Sequence, residues 1–319
     1  MESTTFTTRG ISPLLGTVLT LFGFHPEDSL IAIATYGPRN CFGFRLRLDM
    51  PDTLHVNTAA EQITHHLLGQ NADGVVLIAL IDRKGEAGAL IRKVTELLGE
   101  IPVLEAVRAD GTHYWSHKGE TTEQGTPYAD PTVAQIVVEA IGLGLPIYAS
   151  RAELEACYNT VPGVLLEQVR DTLNAVANEL ASPETIDHAK VSARVLQELD
   201  TVITRGDALS AESIAWLAIG ASMTQIRHDM WARMTRTNAQ THAEMWRVVA
   251  NHLSGASVAP YTLSAFANWL HGDGTQTLIA LDRAPTIAPS YSMAGLVKSM
   301  IENGIGPENW DGFDPTGAI

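Results

Sequence analysis

The chain opens with alternating short apolar runs and amphipathic stretches. Residues 30–36 (LIAIATY) form an apolar run with a β-branched component, and residues 37–40 (GPRN) have turn chemistry. Residues 41–48 (CFGFRLRL) then alternate apolar positions with Arg45 and Arg47, the period of a half-exposed strand. Two strands joined this closely predict an antiparallel hairpin. Ala59, Ala60, Ile63, Leu67 and Leu68 fall on one helical stripe within residues 58–68. Residues 74–81 (GVVLIALI), bounded by Asp73 and Asp82, have no polar face and predict a strand buried on both sides. Residues 87–98 are amphipathic again, and residues 102–107 and 112–116 read as strands around the Ala109-Asp110-Gly111 turn. Upstream, residues 11–24 (ISPLLGTVLTLFGF) read as a helix that starts with Ser12 as a capping hydroxyl and Pro13 in the first turn. The order helix, β, β, α, β, α, β, β predicts a mixed sheet flanked by helices. Residues 119–130 (GETTEQGTPYAD) are the one long polar loop of this half, a length often tied to function. A helix over 132–143 follows, closed by Gly142, Gly144 and Pro146.

From residue 151 the pattern is helical, without a convincing strand. The stripes lie over 151–158, 165–180, 184–204, 211–222, 226–234, 242–253, 261–271, 276–282 and 292–303. Ser182-Pro183, Ser210 and Thr241-x-x-Glu244 are capping signals at three of these starts. The expected organisation is therefore α/β plus all-α. Residues 1–150 form a mixed-sheet domain and 151–319 a helical domain of stacked hairpins without a fixed repeat. The tail after Trp310 is expected to fray.

Composition narrows the function. Of 319 residues, 45% are hydrophobic and 18% charged, so the chain can bury a large core and is not of the disordered class. Lys plus Arg is 21 and Asp plus Glu is 36, a net charge of −15. Such a chain is a poor partner for nucleic acid or an anionic membrane. The charge is shared evenly, with 10 basic and 17 acidic residues up to 150 and 11 and 19 after it. Cys41 and Cys157 are too far apart in sequence for a CxxC motif and read as buried thiols in a reducing compartment. Residues 11–24 are too short to span a bilayer and lack a cleavage site before His25-Pro26-Glu27-Asp28, so a cytoplasmic location is expected.

Several residues carry candidate chemistry. His25-Pro26-Glu27-Asp28-Ser29 joins the first helix to the first strand and suits a pocket mouth, with His25 or Asp28 as acid/base group. The plain alternative is an Asx-type turn. Asp49, Asp82 and Asp110 each follow a strand, where ligands of α/β sheets gather. If Asp49 and Asp82 converge they suit Mg²⁺, but the hairpin sends the carboxyl ends of its own two strands to opposite edges. Otherwise these are turn and capping acids. Tyr114 and Trp115, beside Gly125-Thr126-Pro127-Tyr128, frame the polar loop and suit a flat ligand; the alternative is aromatic packing within a hairpin. His113 and His117 on a strand are about 13 Å apart, and His65 and His66 diverge on a helix, so no metal site is expected. GxxxxGK[ST], a GxGxxG after a strand and a GxSxG elbow are all missing from the sequence. Trp216, Trp231, Trp246 and Trp269 fall on successive predicted helices, as core residues or as a groove for a partner's helix.

A resemblance spans most of the chain. Residues 19–30 (LTLFGFHPEDSL) resemble the signature "yLLGF-P-DSLV" of an actinobacterial and actinophage family catalogued as domain of unknown function 4192. Residues 267–274 (ANWLHGDG), 280–284 (ALDRA) and 289–294 (PSYSMA) are similar to its C-terminal "aaWl-GdGa…AvdrAl…dPgYsmA" block. Between them, Asp110-Gly111 with Tyr114-Trp115-Ser116, Gly125-Thr126-Pro127-Tyr128 and Arg227-x-x-Met230-Trp231 match further segments in order. Many relatives carry a cysteine-containing insert before the GTPY segment. Residues 118–124 here have no cysteine, so a thiolate metal site is not available there. The resemblance implies a fold and a host group, and no activity.

The expectation is a binding protein for a small molecule or a protein partner. Its site residues are Glu27, Asp28, Asp110, Tyr114, Trp115, Gly125, Thr126 and Tyr128. One alternative is a hydrolase acting on a small polar metabolite, Mg²⁺-assisted or not, through His25, Asp28 and Asp82. Another is a helper protein working through its helical groove. Cofactor and oligomeric state stay open.

Overall fold

The computed structural model describes residues 10–82, 84–118, 123–180, 187–206, 208–307 and 310. Its contacts divide the chain into two compact units, Met1–Leu154 and Glu155–Ile319.

In the first unit, α1 (Ile11–Phe22) precedes the β1 (Ser29–Tyr36) and β2 (Cys41–Asp49) hairpin. Then come α2 (Val56–Leu68), β3 (Gly74–Leu80), α3 (Lys84–Leu98), β4 (Val103–Ala109), β5 (His113–Ser116) and β6 (Thr126–Pro127). A 3-10 turn (Pro131–Val133) leads into α4 (Gln135–Gly142). The six strands form one mixed sheet in the order β2-β1-β3-β4-β5-β6, in which only β3 and β4 run parallel. The apolar runs explain this order: β1 and β3 are buried almost throughout and lie inside, whereas the alternating β2 lies at an edge. One face packs Leu30, Ala32, Ala34, Leu77 and Ala79 against Ala60, Ile63 and Leu67 of α2 and Leu90, Ile91 and Val94 of α3. The other face carries the buried Ile31, Ile33, Ile78 and Val107. There Arg45 donates its Nε to the Leu21 carbonyl near the end of α1 at 3.1 Å. α1 also lies close against the segment leading into α4: a Cβ on Gly16 would stand 2.8 Å from that of Ala134.

Several details depart from the sequence pattern. α1 begins at Ile11 with Gly10 at its N-cap, so Ser12 is inside the first turn and caps nothing. Pro13 is tolerated there because first-turn N–H groups have no intrahelical partner. β6 arises inside the stretch read as a loop. Thr126 and Pro127 pair with Tyr114 and His113 at the sheet edge, where a proline's missing N–H is harmless. Cys41 is exposed and Cys157 half-buried, rather than both being buried, because Cys41 opens an edge strand straight from a turn.

The second unit is helical. α5 (Arg151–Ala156) spans the boundary. It is followed by α6 (Val164–Glu179), α7 (His188–Arg205), α8 (Ala211–Ser222), α9 (Thr224–Ala232) and α10 (Ala239–Asn251). α11 (Ala259–His271), α12 (Gly274–Leu281), α13 (Ala284–Ile287) and α14 (Ser292–Glu302) complete it. α11 is the central helix, buried from Ala259 to Leu270, with α10, α12 and α14 against it. Its polar residues are satisfied locally: Ser264 donates to the Ala243 carbonyl at 3.0 Å, and Asn268 donates to the Tyr158 hydroxyl at 3.0 Å. Burial pushes the Tyr158 phenol up to about 12. Ser210 caps α8 through the Ser213 N–H. Thr241 caps nothing, because α10 already begins at Ala239. The Ser182-Pro183 signal and the tail after Trp310 lie outside the described residues. Among those residues no helix is long and apolar enough to cross a membrane.

Candidate functional site

The sheet topology decides which loops meet. β1 runs antiparallel to both of its neighbours, so β2 and β3 run in the same sense. β4 is parallel to β3, and β5 and β6 reverse in turn. One row of paired residues crosses the sheet from Asp49 through Ser29, Leu80, Ala109 and Tyr114 to Thr126. Just past this row lie Glu27 and Asp28, Asp82, Asp110 and Tyr128, all on one edge. Asp49 and Asp82 thus share an edge, although β1 between them keeps their strands about 10 Å apart.

Local chemistry differs at each position. Asp28 sits at φ +40, and its carbonyl accepts from the Met50 N–H at 2.7 Å, which fastens the entry of β1 to the exit of β2. Glu27 and Asp28 are exposed. Ser29 donates to the Glu27 carbonyl and accepts from Arg47 Nε at 2.9 Å, while Arg47 pairs with the exposed carboxylate of Asp49. The backbone N–H of His25 donates to the Tyr148 carbonyl at 3.1 Å. The Asp130 carboxylate stands within electrostatic reach of His25. Hydrogen bonds from the Thr132 hydroxyl and backbone N–H, helped by His25, hold that carboxyl below its ordinary range.

At the centre of the edge stands a residue absent from the sequence-based candidates. Arg108 on β4 is 5% exposed. Its Nη1 donates to the carbonyls of Ile81 at 3.1 Å and Asp82 at 3.3 Å, the exit of β3. Its guanidinium lies 3.5 Å from the ring centroid of Trp115, its cross-strand partner on β5. Burial lowers the Arg108 pKa, and the carboxylates of Asp110 and Asp82 oppose that shift. In the sequence it is one arginine inside the run VLEAVRA, and nothing in that run sets it apart.

Trp115 is engaged on several sides. Its Nε1 donates to the Glu123 carbonyl at 3.1 Å. Gly125, at φ +77, lies so close that a Cβ would stand 2.6 Å from the indole Cε2. Asp110 accepts at one oxygen from the N–H groups of Thr112 and His113 and from the Thr112 hydroxyl, at 2.8 to 2.9 Å. Burial alone would raise its pKa, but these bonds, with Arg108, bring it below the ordinary value. Tyr114 projects to the opposite sheet face from Trp115, with its ring 6.2 Å from that of Tyr128. The Tyr128 N–H reaches the Thr112 carbonyl at 3.1 Å, and burial raises its phenol.

The structure therefore brings Asp82, Asp110, Trp115 and Gly125 together around Arg108. It pairs Tyr114 with Tyr128, places Thr126 in β6, and leaves Glu27 and Asp28 farther along the edge. Among the described residues no three His, Cys, Asp or Glu side chains stand as a metal-binding group. The family model described as Domain of unknown function (DUF4192) matches residues 12–308. No curated protein and no solved structure matches the chain.

Proposed function

The chain belongs to the DUF4192 family, a domain of unknown function, and from that premise we propose that it is a binding protein that recognises a cationic ligand. The observation that carries this reading is the gathering of Glu27, Asp28 and Asp82, all exposed, on one edge of one sheet. A net charge of −15 reinforces the preference by steering cations towards the molecule. The fitting ligand is a basic protein segment or a small polyamine. We place the protein in the cytoplasm, in keeping with its two free thiols. A hydrolytic role would need His25, Asp28 and Asp82 around one point. Asp130, whose carboxyl His25 helps to lower, already caps the turn at Thr132.

Calorimetric titration with an oligolysine peptide tests the proposal. Binding is expected to weaken on raising salt from 50 to about 200 mM, as screening predicts. The double substitution Asp28→Asn with Asp82→Asn is expected to lower affinity about tenfold, at under 1 kcal/mol per exposed charge pair. Absence of binding, or equal affinity in the double variant, would overturn the reading.

A further inference from the structure

The geometry points to Arg108 as the positioning residue of the acidic edge, a role that rests on the binding function proposed above. Three separate chain segments converge on this side chain. It holds the exit of β3 through the carbonyls of Ile81 and Asp82. It lies on the indole of Trp115, whose Nε1 and ring in turn hold Glu123 and Gly125 of the segment leading into β6. Its charge also faces Asp110, which organises the β4–β5 turn through three accepted hydrogen bonds. A guanidinium suits this task because its flat face stacks on a ring while its N–H fork reaches backbone oxygens in plane. An ammonium would keep the charge and lose both geometries.

Charge and positioning demand opposite outcomes at this residue. Arg108 is a cation beneath a site for cations, so pure electrostatics demands tighter binding when it is neutralised. Positioning demands weaker binding, because Asp82 and the turn at Asp110 lose their common anchor. The experiment measures oligolysine affinity and amide hydrogen exchange for the full chain carrying Arg108→Met or Arg108→Lys. Both variants are expected to bind about tenfold more weakly. Faster exchange should be confined to Ile81, Thr112, His113 and Tyr128, whose amides bond at this edge. Leu77 and Ala32, inside the sheet, should keep their protection, which separates positioning from a general loss of the core.

Unchanged or tighter binding in Arg108→Met would overturn the role, as would exchange that rises equally across the sheet. If the wild-type protein ignores oligolysine, the binding function proposed above fails. The exchange pattern alone then decides whether Arg108 anchors these three segments.

Discussion

Each unit of the molecule buries an ionisable side chain, and the two treat it in opposite ways. In the sheet unit Arg108 keeps its charge at 5% exposure, because two carbonyls, an indole face and two carboxylates surround it. In the helical unit His242, on α10, is 1% exposed and its Nδ1 has no hydrogen-bond partner among the described residues. Burial lowers its pKa to about 4, so it is neutral in the folded chain at neutral pH. The contrast follows from desolvation: a buried charge persists where donors, acceptors and countercharges are supplied, and otherwise the group gives up its proton. One unit uses a buried cation to organise a surface, and the other tolerates a polar group inside a core built for packing.

The largest expected effect probes that packing. Trp246, one turn from His242 on α10, is 0% exposed. Trp246→Ala is expected to cost about 4 kcal/mol in chemical denaturation, through lost burial and the cavity left behind. A cost below about 1 kcal/mol would show that the helical interior collapses around the gap, which would erase the contrast between the units.

His242 itself gives the next effect. The folded chain resists its protonation while the unfolded chain accepts a proton near pH 6.5. Unfolded chains thus bind more protons between those values, and stability falls as pH drops from about 6.5 towards 4. The loss should approach about 3 kcal/mol at the acid end, because each pH step of one between the two values contributes about 1.4 kcal/mol. Comparing denaturation of wild type and His242→Phe across this range isolates the contribution. Parallel stability curves would mean that His242 is protonated in the folded state.

The smallest effect sharpens the description of the sheet edge. Gly125→Ala places a methyl against the indole of Trp115 at a backbone angle that L-residues avoid. A local cost of about 2 kcal/mol is expected, since the left-handed conformation alone carries about 1–2 kcal/mol. Faster exchange of the Tyr128 amide, with the helical unit unchanged, is the readout. If exchange at Tyr128 is unaltered, Gly125 is not what seats the loop on Trp115.

Much of the fold was legible because periodicity is local. The continuous apolar run at 74–81 announced a central strand, found at Gly74–Leu80, and Arg45 and Arg47 marked β2 as half-exposed. Caps were less legible. Ser210 does cap α8, whereas Ser12 and Thr241 are overridden because each helix starts upstream of its signal. At the candidate site the loop residues were readable by type, as turn acids and aromatics. Arg108 was not, because nothing in VLEAVRA distinguishes a stacked, buried arginine from one on a solvated strand face.

The sequence by itself determined the passage from a mixed sheet to helices, the negative net charge and the segments able to form turns, because these follow from hydrophobic period, charge count and turn chemistry among near neighbours. Only the tertiary structure decided that Asp28, Asp82, Asp110 and Tyr128 share one edge. That outcome depends on β1 pairing antiparallel with β3 and on β3 pairing parallel with β4, pairings between segments distant in sequence. It also decided that Arg108 meets Trp115, since a cross-strand partner is set by register.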